Sequence, residues 1–342
     1  MTDVPLPITG LGPHGERAAP PSRVALSPDD VSRARERGFR VAVVLHTLAS
    51  DWAREQLQAT AGTLGDCGVA LVDVVDCGFD PEAQITALDR LVRTAPDAII
   101  SLPVANATVA AAHARVAAAG IALVLLDNVP TGLLPGRDYV ALVSADNSGL
   151  GCIAAELMAA QVEPGAEIGL LGYGADFFAT DEREIAFGQW MRANRPDLRL
   201  RVDRFPSIRE AGQRATALCL AYPAMTGLFV VWDTPALEVA KALEHSGSLL
   251  PIVTVDLGQE VAVSLATRGP VTAVAAQLPN LQGRAVAQAT VLSMLERPVP
   301  DWIALPGLAV TRMNLLEGFQ VVWRRPAPRE VLLAMGQDHQ AS

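Results

Sequence analysis

The sequence predicts an α/β protein of two similar lobes, each a doubly wound parallel sheet covered by helices. From about residue 40 onward, short apolar runs alternate with longer segments of helical apolar spacing. Near-continuous apolar strands of this kind are typical of parallel sheets that are buried on both faces. The alternation passes through ten strands in 342 residues, which favours two lobes over one continuous sheet. A polar stretch at residues 144–148 marks the change of lobe.

The strands are predicted from β-branched and leucine-rich runs, five in each series. The first series is 40–46, 70–76, 98–103, 122–127 and 139–144. The second series is 167–173, 198–205, 227–232, 252–256 and 271–276. Apolar residues at helical spacing predict helices between most of these strands, among them 52–65, 81–94, 105–119 and 236–245.

A further helix is predicted ahead of the first strand. Ser27 is a typical N-cap, Pro28 suits the first helical position, and Gly38 ends the helical pattern. Residues before about Val24 are expected to be mobile, and they contain no apolar stretch of the roughly 7–15 residues found in a secretory signal. The tail after Trp323 is expected to leave the second lobe as a strand or loop, followed by a short amphipathic segment.

Composition excludes several kinds of partner. The chain has 27 basic and 37 acidic side chains and a formal net charge of -10, whereas nucleic acids and anionic membranes attract a positive field. No run reaches about 18 apolar residues, so no membrane-spanning helix is expected. The four cysteines are scattered without a C-x-x-C pair, which predicts free buried thiols, and the five histidines lack the spacing of a metal site.

Polar and aromatic side chains gather at the carboxyl ends of the predicted strands, where open α/β sheets bind their ligands. In the first series these are His46, Ser50, Asp51, Trp52, Ser101, Asp127 and Asn128. In the second series they are Tyr173, Asp176, Phe177, Phe178, Trp232, Asp233, Asp256 and Gln277, with Arg183 in the next helical turn. Carboxylates, amides and arginine bind hydroxyl groups, and aromatic rings cover the C–H face of a sugar. The set therefore predicts a small polyhydroxylated ligand.

Several of these residues also have ordinary structural explanations. An Asp after a strand is often the N-cap of the next helix, and this interpretation suits Asp233 better than Asp127 or Asp256. Trp52 and Trp232, taken singly, are typical core residues. A phosphate ligand is disfavoured because the acids would repel it and a glycine-rich cradle with several cations is missing.

One motif keeps a nicotinamide dehydrogenase open as an alternative. The run Gly149-Leu150-Gly151-Cys152-Ile153-Ala154 matches G-x-G-x-x-A after a strand and at a helix start. However, Asp146-Asn147-Ser148 separates the strand from the first glycine, and the next strand ends without an acid for a ribose hydroxyl. Close packing of the helix explains these glycines better than a bound dinucleotide does.

The segment from Arg40 to Trp52 resembles the opening strand and first turn of the periplasmic sugar-binding proteins of ribose-binding type, which are the solute receptors of ABC importers. Four later stretches agree with that family in order and spacing: Leu125-Leu126-Asp127, Val143-Ser144-Ala145-Asp146-Asn147, Val253-Thr254-Val255-Asp256 and Ala275-Ala276-Gln277-Leu278-Pro279. The resemblance covers about residues 39–311.

The resemblance implies two lobes joined by three crossovers, near Asp146, Gln277 and Pro306. The first lobe would comprise residues 39–145 plus 278–306, and the second 146–277 plus 307–325. Residues 1–38 would form an N-terminal extension with one helix, and residues 326–342 a C-terminal tail. Family members of this type close on a monosaccharide or polyol and catalyse nothing, so no catalytic residue, cofactor or metal is expected.

The resemblance also implies that Asp127, Arg183, Asp256 and Gln277 hydrogen-bond sugar hydroxyls, and that Trp52 lies where the family stacks an aromatic ring. Some positions depart from the family, because Trp232 and Ser50 fall where Asn is common and Asn128 replaces an Arg of the ribose binders. A different pentose, a hexose, or a linear or cyclic polyol therefore stays open. The expected ligand-binding residues are Ser50, Asp51, Trp52, Asp127, Asn128, Phe178, Arg183, Trp232, Asp256 and Gln277.

The function implied is that of the solute-binding component of an ABC sugar importer. Such a protein is a periplasmic monomer whose partners are its sugar and the permease subunits. Because no signal peptide is recognised, a cytoplasmic location or a sensor that signals to a non-transport partner stays open. A lac-repressor-type regulator is disfavoured, since about 40 residues with one helix are too few for a helix-turn-helix head. Asp256→Ala or Arg183→Ala is expected to weaken sugar binding by more than about tenfold, with little loss of fold.

Overall fold

Strands and helices alternate along the chain, as the sequence predicts. The computed structural model describes residues 8–337. Within them the strands are β1 (Arg40–Leu45), β2 (Ala70–Asp76), β3 (Ala98–Ser101), β4 (Ala122–Leu126), β5 (Ala141–Ala145), β6 (Glu167–Tyr173), β7 (Arg199–Phe205), β8 (Met225–Val230), β9 (Ile252–Val255), β10 (Val271–Ala276), β11 (Trp302–Leu305) and β12 (Leu308–Thr311). The helices are α1 (Pro28–Arg37), α2 (Asp51–Asp66), α3 (Pro81–Thr94), α4 (Ala110–Ala118), α5 (Asn147–Ala159), α6 (Phe178–Asn194), α7 (Ala211–Ala221), α8 (Asp233–His245), α9 (Gln259–Ala266), α10 (Pro279–Met294), α11 (Leu315–Trp323) and α12 (Arg329–Gln337).

The strands form two sheets of matching topology, one in each lobe. The first lobe has the order β11-β5-β4-β3-β1-β2, and the second has β12-β10-β9-β8-β6-β7. Every pairing is parallel except that of β12 with β10. The inner strands β3, β5 and β9 are buried along their whole length, which explains why each is apolar except for one buried Ser or Thr. The predicted fold class, two similar doubly wound α/β lobes, is confirmed.

The chain passes between the two sheets three times. β5 is followed by α5, which packs on β9 and β10 of the second sheet, and β10 is followed by α10, which packs on α2 and β4 of the first. The third passage runs from β11 to β12. The backbone N–H of Asp146 donates to the carbonyl of Leu305 at 2.8 Å, so the first and third passages are bonded to each other.

Two short strands, β11 and β12, are not among the predicted ones. β11 and β12 have four residues each and are separated by Pro306 and Gly307. Runs this short carry little periodicity, and proline and glycine normally indicate a loop. The predicted helix 105–119 begins only at Ala110. Asn106 lies in the preceding turn, and its side-chain amide donates to Asp176 of the second lobe at 2.7 Å.

The N-terminal helix is confirmed, but the expected mobility of the residues before Val24 does not match the contacts of residues 8–24. A capping box links Ser27 with Asp30, as expected for the start of α1. Ahead of it, Ala19 forms a bridge to Ile303 of β11, and the backbone N–H of Thr9 donates to Asp146 at 2.6 Å. This segment therefore lies against the passages between the lobes. Residues 1–7 lie outside the described part of the chain.

The C-terminal tail packs on the second lobe. After α11 ends, α12 contacts α9, and Val331 belongs to the hydrophobic core of that lobe. The amphipathic segment expected in the tail is thus a docked helix, up to the limit of the described residues at Gln337. Within the described residues, no helix is long and apolar enough to cross a bilayer. The four cysteines are free thiols, with Cys67 and Cys77 buried.

Gly151 explains the glycine motif at the start of α5. A Cβ atom there would overlap the backbone carbonyl oxygen of Arg183, where α5 packs closely against α6. The glycine therefore allows close contact of two helices, as the sequence analysis favoured, and the motif lies on a helix face that is already occupied by protein.

Asp146 is expected to contribute more stability than an ordinary helix cap. Its carboxylate accepts hydrogen bonds from Gly149 in α5 and from the backbone N–H groups of Thr9 and Gly10. We expect Asp146→Ala to lower the free energy of unfolding by about 2 kcal/mol or more, measured by urea denaturation.

The control is Asp80→Ala, which removes the exposed cap of α3 and its single bond from Glu82. That loss should stay near about 1 kcal/mol. Equal losses in the two variants would show that the contacts of Thr9 and Gly10 add nothing to stability.

Candidate ligand-binding site

A cavity of about 120 Å³ lies between the lobes, at the carboxyl ends of both sheets. Each sheet contributes side chains from the turns that follow its central strands, which is where ligands bind in open α/β sheets. The lining residues are His46, Thr47, Ala49, Ser50, Trp52, Phe79, Leu102, Asp127, Tyr173, Phe177, Ala179, Thr180, Arg183, Ile208, Trp232, Asp233, Thr234, Asp256 and Gln277.

Asp127 and Asp256 hold equivalent positions in the two lobes. They follow β4 and β9 directly and adopt left-handed backbone conformations, with φ of 50° and 74°. Asp tolerates this region better than most residues, because its short polar side chain can bond locally. Asp127 accepts from the N–H of Ala145 at 3.3 Å, and Asp256 accepts from the side-chain amide of Gln277 at 2.8 Å.

Burial changes the acidity of both carboxyl groups. Desolvation raises the pKa of Asp127 to about 6, against the opposing effect of the nearby Arg183 guanidinium. Desolvation also raises the pKa of Asp256, again opposed by Arg183 and by the hydrogen bond from Gln277. The cavity therefore holds carboxylates that water no longer solvates and that a hydroxyl-bearing ligand can solvate instead.

Arg183 is a buried cation that lies beside both acids and bonds to neighbouring elements of the second lobe. It is buried in the first two turns of α6, where its Nε donates to Asn147 at 2.9 Å and a terminal nitrogen donates to the carbonyl of Val231 at 3.3 Å. Burial lowers its pKa, while the charges of Asp256 and Asp127 raise it. Arg183 thus joins α5, α6 and the end of β8 around the two acids.

Three buried polar atoms of the lining have no hydrogen-bond partner among the described residues. They are Nε1 of Trp52, Oε1 of Gln277 and Nδ1 of His46. Burial lowers the pKa of His46 to about 4, so its imidazole is neutral at neutral pH. Buried polar groups are normally hydrogen-bonded, so these atoms indicate a place for a polar ligand or for water.

Aromatic rings form much of the remaining wall. In the first lobe, the rings of His46 and Phe79 meet edge to face with centroids 4.8 Å apart. In the second, Tyr173 and Trp232 meet edge to face at 5.2 Å. Phe177 reaches across from the second lobe and stacks on His46 at 6.4 Å. The cavity therefore combines apolar ring faces with a cluster of acids, one arginine and one amide.

Seven of the ten residues expected to bind the ligand line this cavity: Ser50, Trp52, Asp127, Arg183, Trp232, Asp256 and Gln277. Ser50 has a second role, since its hydroxyl caps α2 by accepting from Ala53 at 3.2 Å.

The structure places the other three expected residues outside the lining. Asp51 lies at the rim, where its carboxylate accepts from the backbone N–H of Gln259 at 2.9 Å across the cleft. Asn128 is fully buried and accepts from the N–H of Phe178 at 3.2 Å, so both residues connect the lobes and do not face the cavity. At the start of α6 it is the ring of Phe177 that lines the wall, because neighbouring side chains there point in different directions.

Several other lining residues lie at predicted strand ends but were not among the residues expected to bind the ligand. Asp233 was interpreted as an N-cap, while His46, Tyr173 and Phe177 appeared only among the residues at strand ends. In the structure the N-cap of α8 is Trp232, and Asp233 is the first residue of the helix, with a side chain that lines the cavity. Phe79, in a turn after β2, carried no signal in the sequence.

The lobes contact each other around the cavity. Asn106 bonds to Asp176, Asp51 bonds to Gln259, and Asn128 bonds to Phe178, each pair joining one lobe to the other. The side chains around the cavity are therefore drawn together from both lobes, and this is the arrangement expected of two domains closed by a hinge.

The model of the periplasmic binding protein domain matches residues 41–294. This chain belongs to the periplasmic binding protein family. The match covers β1 to α10, which includes every lining residue of the cavity. The family resemblance of the sequence is confirmed. The two lobes and three passages that it implies are those of the sheet topology.

Solved structures of solute-binding proteins share this fold. One from Agrobacterium vitis, bound to α-D-tagatopyranose, is 20% identical with a TM-score of 0.77, and the match covers 85% of this chain and 100% of that one. One from Agrobacterium radiobacter, in complex with D-arabinose, is 16% identical with a TM-score of 0.75, covering 83% and 98%. A second A. vitis protein, with bound allitol, is 21% identical with a TM-score of 0.70, covering 82% and 97%. No curated protein matches the sequence.

Proposed function

We propose that this periplasmic binding protein holds an uncharged monosaccharide or polyol between its lobes and serves as the solute-binding component of an ABC importer. The observation that carries the proposal is the composition of the cavity wall. It brings together aromatic faces, buried carboxylates and the unpartnered polar atoms of Trp52 and Gln277. A polyhydroxylated ligand satisfies all three, because its C–H groups cover the rings and its hydroxyls bond the acids and the amide.

The charges of the cavity favour an uncharged ligand. Three carboxylates, those of Asp127, Asp233 and Asp256, surround the single guanidinium of Arg183, which already donates to Asn147 and to a backbone carbonyl. A carboxylate or phosphate on the ligand would approach like charges and find no free cation in the lining. Sugar acids and sugar phosphates should therefore bind poorly.

Ligand binding would act on the hinge through contacts with both lobes. Asp127 and Trp52 belong to the first lobe, whereas Arg183, Asp256 and Trp232 belong to the second. A ligand that bonds to both groups at once has more contacts in the closed form than in the open one. This difference in affinity is what shifts the population towards closure. An importer can then distinguish the loaded protein from the empty one by its shape.

The test is binding by the purified full chain, measured by thermal shift and then by calorimetry with D-arabinose, D-tagatose and allitol. A ligand present at about 100 times its Kd stabilises the folded protein by about 2.7 kcal/mol, which is a clear rise in Tm. We expect at least one of the three to bind, and D-arabinonate and D-arabinose 5-phosphate to fail. Binding of the acids without binding of the uncharged sugars would contradict the proposal.

Membership of a periplasmic family supports the proposed location and partner. We infer that the protein works as a monomer in the periplasm and that permease subunits contact its closed form. Light scattering should give the mass of one chain, with and without ligand. In a reconstituted system, ATP hydrolysis by the cognate permease should rise only with protein that carries its ligand. Stimulation by the empty protein alone would contradict this partnership.

Asp256→Asn is the single substitution that tests the proposed site most directly. Asp256→Asn keeps a residue that tolerates φ of 74° and can still accept from Gln277, but it removes the anionic acceptor. A hydrogen bond to a charged group contributes about 1.5–3 kcal/mol, so we expect the affinity for the sugar or polyol to fall by about tenfold or more.

The matched control is Asp76→Asn, which changes an acid at the exposed end of β2 outside the cavity and should alter affinity by less than about twofold. Calorimetry gives both values. An unchanged affinity in Asp256→Asn would remove this carboxylate from the site.

A further inference from the structure

Asp233 is a buried carboxylate that neither helix capping nor ion pairing explains. It is the first residue of α8, and the N-cap position before it belongs to Trp232, whose side chain makes no capping bond. The side chain of Asp233 is 7% exposed and lines the cavity between the lobes. Among the described residues, its hydrogen bonds come from the neighbouring Thr234, whose hydroxyl donates at 3.1 Å and whose backbone N–H also donates.

The backbone around Asp233 leaves room for its carboxylate. Gly258 follows the turn after β9, and a Cβ atom on that glycine would overlap one carboxylate oxygen of Asp233. Any side chain larger than hydrogen at position 258 would therefore displace the acid from its place beside the cavity. The position of the acid depends on this glycine of a neighbouring element.

The charged groups that face Asp233 leave it poorly compensated. They are Asp256 after β9, Asp51 at the start of α2, and Arg183 in α6. Arg183 donates its hydrogen bonds to Asn147 and to a backbone carbonyl, not to Asp233. Burial is the main cause that raises the pKa of Asp233 to about 7, and the charges of Asp256 and Asp51 add to it. A donor from outside the protein is what this carboxylate lacks.

We propose that Asp233 is a specificity-determining residue that, together with Asp256, binds neighbouring hydroxyl groups of the ligand on the second-lobe side of the cavity. The proposal rests on the proposed function, and it adds the feature by which ligands are selected. A ligand with two hydroxyl donors at that end bonds one to each carboxylate. A ligand with an acid or a methyl group there leaves the carboxylates unsatisfied or repels them.

The first test measures affinity in the full chain by calorimetry at pH 8, because a high pH favours the ionised form of Asp233. The probes are D-arabinose, allitol and the corresponding acids D-arabinonate and allonate. In Asp233→Asn we expect the tighter uncharged probe to bind about tenfold more weakly, and the matching acid to bind more tightly than it binds to the wild type. Asp233→Ala should act in the same direction. The control Glu260→Gln, an exposed acid in the first turn of α9, should change affinity by less than about twofold.

The second test uses stability and needs no ligand. Because the pKa of Asp233 is raised in the folded state, its protonation stabilises the fold at low pH, and that contribution is lost as the pH rises through about 7. Asp233→Asn removes the titration. The variant should therefore gain Tm relative to the wild type as the pH rises from 4 to 8, whereas Glu260→Gln should follow the wild type throughout.

The outcomes separate this assignment from the proposed function. If the wild type binds an uncharged probe and Asp233→Asn binds it equally well, the assignment of Asp233 is overturned and the site stands. If the wild type binds none of the uncharged probes, the proposed function is overturned and the assignment falls with it. Parallel Tm curves for the wild type and Asp233→Asn would contradict the view that this carboxylate is buried and uncompensated.

Discussion

Arg183→Ala is expected to lower the free energy of unfolding by about 3–5 kcal/mol and to weaken ligand binding by more than about tenfold. The substitution removes a buried cation and leaves Asp127 and Asp256 buried without compensation. It also removes the hydrogen bonds to Asn147 and to the carbonyl of Val231. Urea denaturation gives the stability, and calorimetry with D-arabinose, D-tagatose or allitol gives the affinity.

The control for this prediction is Arg54→Ala. Arg54 lies near the rim of the cleft and pairs with Asp51 at 2.5 Å, but its side chain is 54% exposed, so its loss should cost less than about 1 kcal/mol. A stability of Arg183→Ala within about 1 kcal/mol of the wild type at neutral pH would show that the two acids are relieved in some other way, for example by contact with water, and would contradict this prediction. If the acids take up protons instead, the loss of stability should grow as the pH rises above the ordinary pKa of an aspartate, which is about 4.

This expectation departs from the one that the sequence supports, which was a loss of binding with little loss of fold. The sequence places Arg183 one turn into a helix after a strand, and that position is compatible with a side chain that contacts only the ligand. The structure adds the bonds to Asn147 and Val231, residues 36 and 48 positions away along the chain. Contacts at such distances depend on how the helices pack, and no local pattern encodes them.

The sheets could be predicted because their cause is local. A strand that is buried on both faces is apolar along most of its length, so β5 and β9 are visible in the sequence as apolar runs with one Ser or Thr each. The rule that ligands bind at the carboxyl ends of such strands then leads to Asp127, Asp256 and Gln277. Seven of ten expected residues line the cavity for this reason.

The prediction was less successful where the direction of a side chain decides whether that residue lines the cavity. Phe177 and Phe178 are adjacent at the start of α6, yet the ring of Phe177 lines the cavity. Asp233 has the sequence context of an N-cap, but in the structure Trp232 takes the N-cap position and Asp233 is the first residue of α8. Both cases depend on the position at which a helix begins, and a shift of one residue turns a side chain by about 100°.

The packing of the N-terminal segment could not be predicted for a different reason. Residues 8–24 form no long element, so they carry no periodicity from which packing could be predicted. Their contacts are instead specific ones, namely the bond from Thr9 to Asp146 and the bridge from Ala19 to Ile303. These contacts depend on the position of β11, which the sequence analysis also missed.

Substitution of Trp52 is expected to have the second large effect on stability and affinity. Its side chain is 8% exposed and belongs to the core of the first lobe, while its ring lines the cavity and its Nε1 has no partner among the described residues. We expect Trp52→Ala to lower the free energy of unfolding by about 3–5 kcal/mol, because it empties a large volume in the core. The same variant should lose most of the affinity for the sugar or polyol.

Trp52→Phe separates the two roles of this residue. The phenyl ring retains most of the apolar surface that packs against the first-lobe core, so the loss of stability should shrink to less than about 2 kcal/mol. The variant lacks the N–H donor, however, and a hydrogen bond to an uncharged group contributes about 1 kcal/mol, which predicts an affinity about fivefold weaker than that of the wild type. Urea denaturation and calorimetry on the same samples decide between packing and bonding. If Trp52→Phe binds as tightly as the wild type, the indole acts on the ligand through its ring face alone, and the unpartnered Nε1 is satisfied by water.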